Sequence, residues 1–136
     1  MHINIMTKGR FDVIDITDDI AKAVERIGEG DGVAMIFVMH TTCGLTIIEY
    51  EKGHMEDLKE MFEKIAPSGF DYRHHQRWDD RNGSGHLRGA LLQPDLCVPI
   101  SNYKLELGEW QRIVLIDFDE GPRDRKIIVK CIKAED

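Results

Sequence analysis

The stretch His40-Thr41-Thr42-Cys43-Gly44-Leu45-Thr46-Ile47-Ile48-Glu49 puts an imidazole, two hydroxyls, a thiol and a carboxylate close together in sequence. A neutral imidazole is a ligand for zinc and other transition metals and also a general base. Two further histidines, His74 and His86, flank a polar, glycine-containing segment that carries Asp79, Asp80, Asn82 and Ser84. His40, His74 and His86 converging from separate segments would make a transition-metal or catalytic site, with open positions for water or substrate. Glu49 would orient a ligand histidine or move a proton. Thr41 and Thr42 offer hydroxyls to a substrate.

A second set of residues suits an anion. Arg123 and Arg125 bracket Asp124, and arginine presents bidentate donors to phosphate. Ser101 and Asn102 are candidates to share that role. Trp110 and Gln111 precede an apolar run and would line a pocket, the glutamine both donating and accepting. Each feature also has a plainer reading. A strand-end histidine can be satisfied by its neighbours, a polar loop can carry histidines idly, and an arginine-bearing turn is commonly just solvated. Cys43, with no base assigned to it, reads as a small buried hydrophobe.

These residues need elements to hold them. The apolar, β-branched run 33–39 predicts a buried strand ending at His40. Residues 2–7 and 10–15 alternate as short strands. Thr17 or Asp18 caps a helix running to Ile27, with Ile20, Ala23, Val24 and Ile27 on one face. Residues 53–65 have helical period, with Met55, Leu58, Phe62 and Ile65 together. Residues 70–85 read as a loop long enough to be functional, and 86–92 as one or two helical turns. Residues 96–100, 111–118 and 126–133 are strand candidates, with Gly121-Pro122-Arg123-Asp124 as a hairpin turn between the last two. The result is an α+β fold, a single domain over residues 1–136, with a mixed, largely antiparallel β-sheet and two to three helices.

At 136 residues the chain is one domain in size, and 42% hydrophobic residues are enough for a core. A net charge of −7 argues against a general nucleic-acid binder. Three scattered cysteines, an odd number with no Cys-x-x-Cys, argue for a reducing cytoplasm and against a disulfide framework or zinc ribbon. No apolar run approaches membrane-helix length, and no signal-peptide pattern opens the chain.

Five motifs in order carry a resemblance: residues 40–49, Tyr72-x-His74, Asn82-Gly-x-Gly-His86-Leu87, Leu107-Gly108-x-Trp110-Gln111 and Gly121-Pro122-Arg123-x-Arg125. Together they resemble the YjbQ-like family, whose members are often labelled secondary thiamine-phosphate synthases. Ile48 stands where the family usually has Asn. The resemblance implies an α+β domain assembled as a homotrimer, with His40, His74 and His86 gathered at a metal. It also implies a weak activity joining the pyrimidine diphosphate and thiazole phosphate halves of thiamine. The expectation is a metal-dependent enzyme acting on a small phosphorylated substrate, with Arg123 and Ser101 or Asn102 on the phosphate. Zinc or another transition metal suits three histidines, whereas magnesium would suit a leaving diphosphate better. The alternatives are a metal-assisted hydrolase and a trimer that binds a small anion without chemistry.

Overall fold

The structure, a computed structural model, describes residues 1–78 and 80–134, so Asp79 lies outside the described residues. Strands β1 (His2–Thr7), β8 (Arg123–Lys133), β3 (Gly32–Val38), β5 (Asp95–Ser101) and β6 (Lys104–Leu105) form one sheet in that order. Strands β2 (Asp12–Asp15), β7 (Arg112–Asp117) and β4 (Cys43–Ile48) form another. Every pairing is antiparallel. The helices are α1 (Thr17–Ile27), α2 (Lys52–Ile65), a short α3 (His74–Trp78) and α4 (Gly83–Leu92).

The main core lies between the two sheets and α1. Ala34, Ile36 and Val38 of β3 meet Leu45 of β4, Ile113 and Leu115 of β7, and Ile20 and Val24 of α1. A smaller core on the other face of β7 joins Val114, Ile116 and Phe118 to Phe62 of α2. β7 is therefore buried on both faces, which is why 113–116 reads as an unbroken apolar run rather than an alternating one.

Three corrections to the sequence reading matter for the site. First, β7 and β8 belong to different sheets, so residues 118–122 are a crossover between sheets and not a hairpin turn. Arg123 and Arg125 are strand residues, paired with Thr7 and Ile5 of β1. Second, α4 starts at Gly83 instead of 86, and α3 falls inside the predicted loop. The glycines that suggest a loop allow close packing instead. A Cβ on Gly85 would lie 2.8 Å from the Phe118 carbonyl oxygen, and one on Gly89 would lie 2.7 Å from that of Thr41. Third, neither Thr17 nor Asp18 caps α1. Asp15 Oδ1 accepts from the Thr17 amide at 3.0 Å and its hydroxyl at 2.7 Å.

The chain passes between the sheets at one end of the molecule at residues 8–11, 39–42 and 118–122, and the passage from β6 to β7, 106–111, lies at the opposite end. The strand registers put the first three crossovers together: Thr7 pairs with Arg123, Val38 with Ile127, and both Asp12 and Cys43 with Asp117. α4 packs its Gly85–Gly89 face against two of them.

Candidate functional site

The crossover end is tied together by buried charge. Arg125 donates through Nε to Asp117 Oδ2 at 2.7 Å and through Nη2 to Oδ1 at 2.9 Å. Both side chains are almost wholly buried, at 3% and 0% exposed. Thr7 also donates to Asp117, at 2.5 Å. Arg125 reaches on to Thr42 Oγ1 at 2.8 Å, and the Thr42 hydroxyl donates in turn to Asp119 Oδ2 at 2.8 Å. Asp119 further accepts from the Glu120 amide at 2.7 Å, Arg123 Nε at 3.2 Å and Asn82 Nδ2 at 3.3 Å. Burial pushes the Asp119 carboxyl up, but the Glu120 amide, Thr42 and Arg123 together outweigh it. The group sits below the usual carboxylate range and stays ionised.

Over this network opens a cavity of about 550 Å³, lined by His40, Thr41, Thr42, Asn82, His86 and Asp119 together with Arg123 and Arg125. His40, on the second crossover, accepts the Lys126 amide N–H at Nε2, 3.0 Å away. In the neutral ring the proton then belongs to Nδ1. Burial, and after it the Arg125 charge, holds His40 below its ordinary value. Burial, and after it His74, does the same for His86. Both imidazoles are neutral near pH 7. Arg123 is exposed and, among the described residues, its side chain is tied to Asp119 through Nε alone, which leaves its two Nη groups for a ligand.

His74 stands behind His86, ring centroids 4.3 Å apart. Its Nδ1 is 3.5 Å from Asp80 and, though buried, has no hydrogen-bond partner among the described residues. The neighbouring His75 is structural, because its Nε2 accepts the Gly83 amide at 3.0 Å and so caps α4. Asn82 Oδ1 is a further buried acceptor left unpaired among the described residues.

Of the residues singled out in the sequence, the fold thus gathers His40, Thr41, Thr42, His86 and Arg123, with His74 in contact through His86. It does not bring the three histidines into one coordination shell. Among the described residues no group of three or more His, Cys, Asp or Glu side chains is arranged to hold a metal. The His40 nitrogen free of the Lys126 amide is the protonated one, which does not ligate. The residues in this arrangement therefore do not fit a three-histidine centre.

Nor does a single chain bring the remaining candidates to His40. Glu49 follows β4, whose six residues at about 3.3 Å each set it roughly 20 Å away. Glu49 and Trp110 line a separate cavity of about 400 Å³ with Asp15, Glu51, Glu109 and Arg112. Gln111 Oε1 accepts the Gly108 amide at 2.7 Å and shapes that turn. Ser101 pairs with Lys104 at the Gly32 end of β3, opposite His40, so it shares no phosphate with Arg123. Cys43 is buried, and burial pushes its thiol up to about 12, so it stays protonated at neutral pH and fits the reading of a small buried hydrophobe.

Asp117 and Asp119 escaped the sequence reading. A signal was present: Asp117-x-Asp119 closes an all-apolar run, and Arg123-x-Arg125 repeats the same spacing soon after. Charges of opposite sign spaced two apart on neighbouring segments can pair on one face.

The YjbQ-like model of UPF0047 proteins matches residues 1–134. The chain belongs to the UPF0047 family of YjbQ-like proteins. A UPF0047 protein of Archaeoglobus fulgidus is 41% identical over 97% of the chain and all of its own length. YugU of Bacillus subtilis is 30% identical over 96% of each. A solved YjbQ/UPF0047 structure from Clostridium acetobutylicum, 36% identical, superposes with a TM-score of 0.87 over 97% of this chain and 99% of that one. A YbjQ-like protein of unknown function from Sulfolobus solfataricus, 28% identical, has the same TM-score over 98% and 97%. The α+β architecture is thus a family property. No helix among the described residues is long and apolar enough to cross a membrane.

Proposed function

We propose that the crossover cavity binds a small phosphorylated molecule and moves a proton on it. The observation that carries this reading is the company kept by Arg123: two neutral imidazoles of different character share its cavity. Arg123 offers its Nη pair to phosphate oxygens, aimed by Asp119. His40, protonated at Nδ1, donates to the substrate. His86, whose imidazole has no hydrogen bond among the described residues, accepts a proton as base. Thr41 hydrogen-bonds the ligand, while Thr42 keeps Arg125 and Asp119 in place.

The condensation implied by the family resemblance, in which thiazole phosphate displaces diphosphate from the pyrimidine, falls in this class and is the first assay to run. Arg123→Ala is expected to weaken binding of the phosphorylated substrate about ten- to a hundred-fold, the value of a charged hydrogen-bonding group. His86→Ala is expected to remove turnover while leaving binding within a few-fold. Binding that survives Arg123→Ala would sink the reading. Binding without any turnover would leave the non-catalytic anion receptor in its place.

The metal-binding reading draws support from the His74–His86 ring contact and the unpaired His74 Nδ1. It requires zinc to titrate to one equivalent and both His74→Ala and His86→Ala to abolish that uptake. Zinc binding that neither substitution changes removes it. A homotrimer also belongs to the proposal. Leu87 and Leu91 are exposed one turn apart on α4, apolar surface that assembly would cover. A sedimentation mass equal to the 15.6 kDa chain would dismiss it.

A further inference from the structure

On the other side of α4 lies a second cavity of about 340 Å³, which shares only Asp119 with the histidine cavity. Phe11 and Phe118 give it an apolar wall, their ring centroids 5.8 Å apart. Arg88 closes it from α4, its guanidinium 6.0 Å from the Phe118 ring centroid. Arg10 and Lys59, both exposed, stand at its mouth.

Its donors are unspent. Ser84 is only 7% exposed, lines the cavity, and its hydroxyl has no partner among the described residues. The hydroxyl oxygen is open to the cavity and can donate to a ligand there. Arg88 is 5% exposed. It gives Nε to Ala66 O at 3.1 Å and Nη2 to Ala66 O and Glu63 at 2.9 and 2.8 Å, which leaves Nη1 without an acceptor among the described residues. The amides of Ser84 and Gly85, at the start of the ten-residue α4, also lack acceptors among the described residues. Those of Gly83 and His86 are taken by His75 and Asn82. Amides free at a helix start favour an anion.

The backbone opposite is strained. Gly9, Arg10 and Phe11 follow one another at φ +82°, +55° and +64°. Arg and Phe rarely take up this region, and such residues gather at binding sites. Arg10 is locked there by its amide to Asp119 O at 2.6 Å and its Nε to Glu120 O at 3.0 Å. Of the three acids around the cavity, Glu63 is paired with Arg88 and Ser68, and Asp119 with Thr42, Asn82 and Arg123. Only Glu120 among these has an uncommitted carboxylate.

We propose that this cavity binds a small organic anion, with its phosphate or carboxylate on Ser84, Arg88 and the α4 amides and its apolar body against Phe11 and Phe118. The site is independent of the histidine cavity, because the Gly85–Gly89 face of α4 and the Asp119 backbone stand between the two.

Amide and arginine Nε resonances of the full chain, titrated with phenyl phosphate, benzoate and inorganic phosphate, test it. Saturable shifts are expected at Ser84, Gly85 and Arg88 Nε, with phenyl phosphate tighter than inorganic phosphate, which has no apolar body. Whichever of phenyl phosphate and benzoate binds tighter identifies the anion. Ser84→Ala is expected to weaken binding about ten-fold, the loss of a hydrogen bond to a charged group. Lys59→Ala, on the solvent side of α2, is expected to weaken it a few-fold. Arg123→Ala should leave these shifts unchanged, which separates this site from the histidine cavity. Shifts confined to Thr41, Thr42 and Lys126, no saturable shift at millimolar ligand, or full affinity in both Ser84→Ala and Lys59→Ala would overturn the proposal.

Discussion

At the end of the sheets where the chain crosses three times, charges are buried and cross-linked; at the opposite end, acids and an aromatic stand in solvent. Asp117, Asp119 and Arg125 are each under 5% exposed, whereas Trp110 is 67% exposed and Glu49 and Glu109 lie at the surface. β4 joins the two ends, and one sequence motif spans both. Its first residues reach the buried network through Thr42, and its last, Glu49, reaches the acidic cavity. Proximity in sequence therefore misleads wherever a strand intervenes. A strand converts a few residues into tens of ångströms, and only the register shows what stands beside what.

The sharpest way to break this contrast is to remove one charge at the crossover end. Asp117→Ala leaves Arg125 buried without its bidentate partner and takes an acceptor from Thr7 and from the Asp119 amide. A broken buried ion pair costs about 3–5 kcal/mol. Denaturant unfolding is expected to show a loss of that order, enough to consume much of a small domain's stability. A loss below about 1 kcal/mol would mean that the network is solvated and that the two ends are built alike.

A smaller effect is expected from Gly89→Ala. The new methyl would meet the Thr41 carbonyl oxygen at 2.7 Å and that of Cys43 at 3.0 Å, backbone atoms that cannot swing aside. Overpacking of this kind costs about 1–3 kcal/mol, against the roughly 1 kcal/mol that alanine normally gains over glycine inside a helix. A net loss of stability, with displaced His86 and Asn82 resonances, is the expected result. A stabilised protein would show that α4 can lift from the crossovers without cost.

α4 also explains what the sequence hid. The apolar runs of β3 and β7 and the face of α1 were legible, because burial leaves a periodicity or an unbroken run. His40 and His86 were legible because a histidine beside hydroxyls or glycines stands out. The start of α4 was not, since Gly83-Ser84-Gly85 has loop composition and its supports, His75 on the Gly83 amide and the 118–122 crossover against Gly85, come from outside the helix. The sheet switch after β7 was hidden for a related reason: a Gly-Pro pair marks a turn but not which sheet the chain enters next. Asp117 and Asp119 were visible as residues but not as a network, because their partners come from β1, β8, the residue before α4 and the second crossover.

The crossover end should also feel pH. His40 and His86 are both held below the ordinary 6.5, with burial as the main cause. The unfolded chain therefore takes up these protons at a higher pH than the folded chain. Their contribution to stability is complete above about pH 6.5 and is lost as the pH falls through the folded values. Urea midpoints compared at about pH 7.5 and 5.5 should drop, and drop less in a His40→Gln, His86→Gln double variant. An equal drop in both proteins would assign the acid sensitivity elsewhere.

The smallest effect is expected at the far end, and it is the most discriminating. Glu49 is exposed and its carboxylate has no hydrogen bond or ion pair among the described residues, so Glu49→Gln should change stability by no more than about 0.5 kcal/mol. Because β4 holds it roughly 20 Å from His40, the substitution should also leave ligand binding in the histidine cavity unaltered within one chain. Calorimetry at dilutions that span any self-association checks both points together. A loss of binding that appears only at high protein concentration would mean that Glu49 reaches the histidine cavity of a second copy. The separation of the two ends would then be a property of the single chain and not of the working protein.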